Sequence, residues 1–489
     1  VAEPTGHLVS TFTLHPHGSN YTSHNAWNLV ASNDEWTSPI MAEVGPDGNV
    51  WVIDWYNYIV QHNPTPEGFK TGKGSAYETP LRDKTHGRIY RIVAKGAKPS
   101  AITKLDPADS NGLVAALKND NMFWRTHAQR LLVERGQKDV VPGLVALVKD
   151  GSVDEIGLNP GAIHALWTLH GLGALDGTNA EATAAANSAL THASAGVRRN
   201  AAQVLAKDAD AAKAIVAAKL LEDDDAQVRL AALLALADRP ASDEAAAGIV
   251  RALVSGKLDH DRPLADAATS AAAANAKPFL AALAAQKFDG PASELVTTIA
   301  TRVAEHYARG GPDDTVVTII KALPNAEPGV SAAIISGIAA GWPKARTVTL
   351  DETAEKALGE LVAKLPSQAK GEIVSLANSW GSKGFEKYSA EIAASFLEVA
   401  RDESRSEAER VKAATQFIEF QRNNVQAAEE LLGLVNPRTS PVLATGLVEA
   451  VGRSASPEIG KLLVDRMDAL TPSVRPVALR LLLGRTEWT

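Results

Sequence analysis

The 489-residue chain contains no cysteine. No disulfide framework, thiolate metal site, cysteine nucleophile or covalently attached c-type haem can therefore lie within it. Basic charge is also scarce: 49 Lys and Arg stand against 57 Asp and Glu, a net −8, with no predominantly basic segment. A general attraction to phosphate backbones is not expected, which argues against nucleic acid as a partner. Long apolar runs are missing too, since charge or polarity interrupts each stretch before the roughly 18 to 20 residues a membrane span needs. The chain opens on Val1 without a basic and apolar leader, so a signal peptide is expected to be absent or already removed.

What is present divides near residue 95. The first 95 residues hold four of the nine Trp, five of the seven Tyr and six of the twelve His, with frequent Gly and Pro. Three short β-branched or aromatic runs, 40–44, 50–54 and 87–93, read as strands. Gly45-Pro-Asp-Gly48 joins the first two as a hairpin turn, because Pro46 presets φ and the glycines accept positive φ. Residues 63–84 are polar and rich in Gly and Pro, and are expected to form a long loop. His15-Pro-His17-Gly18 reads as a polar loop. Residues 96–106 form a linker, and the expected division is a β section at 1–95 followed by helices at 107–489.

From about Asp106 the alphabet turns to Ala, Leu, Val, Glu and Lys, which is helical composition. It is also self-similar. The segment from Ala128 aligns with that from Ala165 at an offset of 37, and further steps reach Ala201 and Ala232. The recurring unit is a polar turn, a Val-Arg pair and an Ala/Leu helix, as in Ser194-Ala-Gly-Val-Arg198, Asp225-Ala-Gln-Val-Arg229 and Pro472-Ser-Val-Arg475. Such helix pairs of about 40 residues bury their apolar stripes only by stacking, so the fold is expected to be mainly α, an α-solenoid resembling HEAT repeats. Val197-Arg198 and Val228-Arg229 are expected to glue one repeat to the next. His164, Trp167 and His170 share a helical face and should pack against the first repeat.

The front section carries the candidate chemistry. Asp54-Trp-Tyr-Asn57 places Asp54, Tyr56 and Asn57 at a strand end, where oxygens could meet a hard cation or sugar hydroxyls beside stacking aromatics. The alternative is that Asp54 caps a turn and the rings fill core. His62 and His86 bracket the long loop and would form an acid/base or metal pair if it folds back. Arg88 could neutralise a carboxylate or quinone, or simply pair with Asp83 or Asp54. His15, His17 and His24 add further ligand types. Asn20-Tyr-Thr22 matches a glycosylation sequon, a triplet common by chance.

Ser32-Asn-Asp-Glu-Trp36, Pro39, the run from Val44 to Asn57, Ile59, Gln61-His62 and Asp83-Lys-Thr-His-Gly-Arg-Ile-Tyr-Arg91 form an ordered series. It resembles the last one or two β-propeller blades of the large exported dehydrogenase-like proteins of planctomycete- and verrucomicrobia-type bacteria. Those proteins join a propeller similar to soluble glucose and sorbosone dehydrogenases to HEAT-like repeats, often followed by a cytochrome c domain. The resemblance covers residues 30–93. It implies a sugar or polyol oxidoreductase, periplasmic or secreted, with carbohydrate as ligand. Pyrroloquinoline quinone or haem c would sit on parts outside this chain, with calcium as an associated ion. His62 and His86 would then be catalytic, and Asp54, Tyr56, Asn57 and Arg88 would bind substrate or cofactor. Ninety-five residues cannot close a propeller, which needs at least four blades of roughly 40 to 45 residues. The β section is therefore expected to belong to a longer polypeptide or to pack against the solenoid or a partner chain. The competing expectation is a non-enzymatic HEAT-repeat scaffold with the β section as a docking cap.

Overall fold

The computed structural model describes the chain except for residues 61–66, 69, 71–80, 82–84, 99, 344, 386–387 and 489. His62 and Asp83, and most of the expected long loop, lie outside the described residues. The fold is mainly α, a HEAT-like solenoid preceded by two small antiparallel sheets.

The first sheet has the order β1 (Ala2–Glu3), β2 (Leu8–His17), β3 (Asn20–Ala31). His15-Pro-His17 is thus the end of a strand and not a loop. The turn lies just beyond it at Gly18, whose φ is +60°, and Pro16 is tolerated because β2 is unpaired on its outer side along that stretch. The second sheet is β4 (Pro39–Val44), β5 (Val50–Asp54), β6 (Arg88–Ile92), close to the three runs expected. Val44 pairs with Val50 across the Gly45–Gly48 turn. Gly48 takes φ +78°, and a side chain on Gly45 would overlap the Trp51 ring, so both glycines are required.

The helices form two compact units, Val1–Ala274 and Asn275–Thr489. The boundary falls inside the helical region, and the β section belongs to the first unit. That unit contains α1 (Ser110–Ala116), α2 (Met122–Arg135), α3 (Val141–Val148), α4 (Pro160–Gly171), α5 (Ala180–Ser188), α6 (Ala195–Val204), α7 (Ala209–Ala217), α8 (Ala226–Ala237), α9 (Asp243–Val254) and α10 (Arg262–Ala274). Helices α2, α4, α6, α8 and α10 pack each on the next, while α1, α3 and α5, and α7 and α9, form the other layer. This two-layer stacking is what buries stripes such as Ala165, Leu166 and Leu169.

Polar residues start these helices. Asn121, Asn159 and Asp225 accept from the Phe123, Ala162 and Val228 amides and cap α2, α4 and α8. The repeat arginines do the expected gluing. Arg125, Arg198 and Arg229 each turn a guanidinium back onto the carbonyls five and six residues upstream. Arg198 also forks onto Asp223 of the next turn at 2.7 and 2.8 Å. His164 bonds Gln129 of α2, while Trp167 and His170 bond Asn200 and the Val204 carbonyl of α6, so this face ties together three repeats.

The second unit continues the pattern through residues whose sequence periodicity is blurred. It contains α11 (Ala276–Ala285), α12 (Glu294–Arg309), α13 (Asp313–Ala322), α14 (Pro328–Gly341), α15 (Glu352–Lys364), α16 (Ser367–Ser379), α17 (Ser389–Arg401), α18 (Glu407–Phe420), α19 (Val425–Leu432), α20 (Pro441–Val451), α21 (Ile459–Arg466) and α22 (Arg475–Leu483). Helices α12, α14 and α16, and α18, α20 and α22, stack in series. The α12–α14 approach is close because Gly337 and Gly341 face backbone of α12, where a Cβ would overlap the Thr301 and Glu305 carbonyls. A capping box between Ser406 and Glu409 starts α18. No helix of the described residues is long and apolar enough to cross a membrane.

Candidate functional site

The segment from β3 to β4 and the end of β5 build one polar cluster. Asp54, 1% exposed, accepts the Ser38 amide at 2.6 Å and the Tyr56 amide at 2.7 Å on one oxygen, and the Tyr90 hydroxyl at 3.0 Å on the other. Burial together with the Asp54 carboxylate pushes the Tyr90 phenol up, so it stays protonated and donates. Tyr56 sits in the left-handed region at φ +53°, a costly conformation for a residue with a Cβ. Three contacts hold it there: its amide on Asp54, its hydroxyl on Asp34 at 3.1 Å, and the Arg88 guanidinium 3.2 Å above its ring. Burial, and then the Asp34 hydrogen bond, push its phenol up against the pull of Arg88.

The sequence-selected residues are brought together in part. Asp54, Tyr56 and Arg88 meet, with Asp54 and Arg88 cross-strand partners. The carboxylate beside Arg88 among the described residues is Asp34, at 3.7 Å. Asn57 is buried beside them, but its side-chain oxygen accepts the Ile59 amide and its carbonyl accepts the Ser38 hydroxyl. His86 is exposed at the start of β6, its Nδ1 3.1 Å from the Thr85 hydroxyl. His62 lies outside the described residues. Sequence reasoning did not select Asp34, Ser38 and Tyr90, nor the Trp36 ring packed 6.1 and 6.0 Å from Tyr56 and Tyr58. Their available signal was Asp34-Glu-Trp36 itself, an acidic residue two before an aromatic, whose carboxylate accepts the Trp36 amide in a local turn.

This geometry does not fit calcium. A calcium ion takes six to eight oxygens, whereas both Asp54 oxygens are engaged by the chain's own donors. Among the described residues no group of three or more His, Asp or Glu could hold a metal ion.

Two further features of the β section face outward or onto helices. On one face of the second sheet, Met41, Ile53 and Ile89 lie opposite one another across all three strands and are 40%, 41% and 69% exposed. The Gly45–Gly48 turn is bolted to the first repeat: Asn121 and Trp124 of α2 donate to the Gly45 and Pro46 carbonyls at 2.9 and 3.0 Å. Asp47 in the same turn accepts the Trp51 indole, Asn49 and Arg91, which hold its carboxyl far below the usual range. The β2–β3 tip is fastened as well. Ser19 donates its amide and hydroxyl to Asp261 at 2.6 Å each, and Gln227 donates to the Ser19 carbonyl.

In the second unit, a cleft of about 420 Å³ is lined by Ser336, Glu372, Ser375, Asn378, Gln416 and Glu419. It shares Ser336 and Gln416 with neighbouring clefts along α12, α14, α16 and α18. Glu372 at its floor accepts from Ser336 and from Gln368.

Residues 1–96 match the model of a domain of unknown function, DUF7133. No curated protein matches the chain. Among solved structures, the chain is similar to the CpcE–CpcF complex of phycocyanin lyase from Nostoc sp. PCC7120, at 18% identity and TM-score 0.27, covering 56% of this chain and all of that one. It is also similar to the S. pombe condensin Cnd3–Cnd2 subcomplex, at 14% identity and TM-score 0.29, covering 78% and 63%. A third similar structure is Kap121p, at 13% identity and TM-score 0.29, covering 77% and 48%. The chain thus spans less than two thirds of the latter two. With TM-scores this low, the HEAT-like architecture rests on the helix packing described above.

Proposed function

We propose that this chain is a HEAT-repeat scaffold whose β section is a docking cap for a protein partner. The observation that carries this reading is the Met41–Ile53–Ile89 row. A sheet that offers an apolar row to solvent presents a contact surface. Around it, the groups suited to chemistry are occupied structurally: Asp54 by three donors, Tyr56 by Asp34 and Arg88. The fitting partner is another β-sheet, contributed by a partner protein or by the remainder of a longer polypeptide.

That same row favours a second reading, the C-terminal portion of an exported sugar or polyol dehydrogenase. In a propeller, successive sheets stack face to face, and a blade at an open seam would leave such a row uncovered. On this reading the protein is periplasmic or secreted, quinone or haem c is held elsewhere, and Asp54, Tyr56, Asn57, Arg88, His62 and His86 contribute to a carbohydrate site. The experiment separating the two is a sugar-dependent dye-reduction assay on the purified chain with added pyrroloquinoline quinone and calcium. The scaffold reading expects none above background. Reduction abolished by Asp54→Ala or His86→Ala, with folding intact, would establish the enzyme reading.

A further inference from the structure

Three helices of the second unit each bring one stripe to the cleft of about 420 Å³. On α14 the stripe is Ser336, Ala339 and Ala340, on α16 it is Glu372, Ser375 and Asn378, and on α18 it is Gln416, Glu419 and Phe420. Spacings of three and four put each set on one helical face. The cleft opens where the series α12, α14 and α16 gives way to the series α18, α20 and α22. Gly371 makes one wall aromatic. A Cβ there would overlap the Phe396 and Phe420 rings, which lie 5.8 Å apart, so glycine lets both rings come up against α16. The cleft lies wholly within the second unit and needs nothing from the β section.

Charge indicates what fills it. Glu372 and Glu419 line the cleft, and none of its described lining residues is Lys, Arg or His. Glu372 takes only neutral donors, the Ser336 hydroxyl on one oxygen and the Gln368 amide on the other, so each oxygen keeps a lone pair for a further donor. Among the described residues no ion pair involves Glu372 or Glu419. The neighbouring clefts differ. The one sharing Ser336 carries no charged side chain, and in the one sharing Gln416 the Arg405 guanidinium is already met by Asp402 and Glu409. A cation is therefore called for in the central cleft. Arginine suits it: its planar fork donates to carboxylates, its flat face stacks on a ring such as Phe420, and its apolar stem runs beside the small α14 residues. The volume exceeds what one side chain fills, and the hydroxyls and amides of Thr301, Ser336, Gln368 and Gln416 along the adjoining clefts can both donate to and accept from a peptide backbone. We propose that this cleft binds an extended segment of a partner protein through an arginine held by Glu372 and Glu419.

Selecting a random dodecapeptide library displayed on phage against the full chain, at physiological salt, tests this. Enriched peptides should share an arginine. The tightest of them, synthesised with a fluorescent label and followed by anisotropy, should lose at least about tenfold in affinity for the variant Glu372→Gln/Glu419→Gln. Glu352→Gln/Glu360→Gln removes the same charge from exposed positions of α15 and should leave the affinity within about twofold, because screened charges outside the cleft contribute little. Ser375→Arg, one turn from Glu372, supplies a guanidinium from the chain itself and should abolish binding. Unchanged circular dichroism melting confirms the fold of each variant. Failure to enrich any peptide overturns the proposal, as does a shared motif without arginine, whether acidic or apolar. So does binding that survives the cleft double variant or Ser375→Arg, or that falls equally in the α15 control.

Discussion

Asp54 is the residue for which the sequence leaves two readings open, a ligand group or the cap of a turn. A carboxylate at a strand end, next to Trp, Tyr and Asn, has the composition of a ligand site. In the structure its oxygens satisfy two amides and a hydroxyl at the junction of the β3–β4 segment with β5 and β6. Asp54→Ala leaves those donors without an acceptor in a buried site, which costs about 3 kcal/mol in total. Amide hydrogen exchange at Ser38 and Tyr56 should accelerate roughly a hundredfold. His164 gives a second prediction at this scale. Burial, with the Arg125 charge adding to it, lowers its pKa from 6.5 to about 4. The unfolded chain then binds the proton before the folded one, so stability is full above pH 6.5 and falls as the pH drops from 6.5 towards 4. The fall is at most about 1.4 kcal/mol per pH unit, less where water reaches the ring. Urea midpoints measured across that range should decline for the wild type and lie flatter for His164→Gln, which cannot titrate.

At the scale of elements, the β2–β3 ribbon is the part least legible in advance. A two-stranded ribbon is marginal by itself in water, and nothing local in His15-Pro-His17 announces that its tip is fastened to Asp261, far along the chain. Asp261 is where that stability resides. Burial raises its pKa, but the Ser19 hydroxyl and amide, the Leu264 amide and the Arg229 charge outweigh this and leave it lowered. A lowered carboxylate stabilises the latch above its ordinary value of 3.8 and loses that stabilisation as the pH falls through the folded value. At neutral pH, Asp261→Ala should speed amide exchange along β2 and β3 while leaving β4–β6 unchanged. By contrast, β4, β5 and β6 were readable because β-branched runs bounded by Gly and Pro leave few alternatives. The helices before residue 240 were readable because the segments around Ala128, Ala165, Ala201 and Ala232 align at steps of 37, 36 and 31, the last two with a Val-Arg pair. Beyond 240 the register was lost, since the α12–α14 contact depends on Gly337 and Gly341, residues that carry no helical signal. Gly337→Val should lower the melting temperature of the second unit, through an overlap with the Thr301 carbonyl that costs at least about 1–3 kcal/mol.

For the whole molecule, the solenoid was legible from composition and repeat spacing, and its two-layer stacking follows from the need to bury each apolar stripe. The candidate site was legible only in outline. Residue types pointed to Asp54, Tyr56 and Arg88, whereas their partners Asp34, Ser38 and Tyr90 come from the segment before β4 and from β6, brought to the end of β5 by the strand register, which no local pattern encodes. Within the first unit, the β section is fastened at two points to the helices that follow it, through Asn121 and Trp124 at one turn and through Asp261 and Gln227 at the other. The most direct measurement of the central claim follows exchange at the Ser38 and Tyr56 amides and sugar-dependent dye reduction together, in the wild type and in Asp54→Ala. The account predicts no reduction by the wild type and a large loss of amide protection in the variant. Sugar-dependent reduction that disappears in a variant with unchanged protection would contradict it.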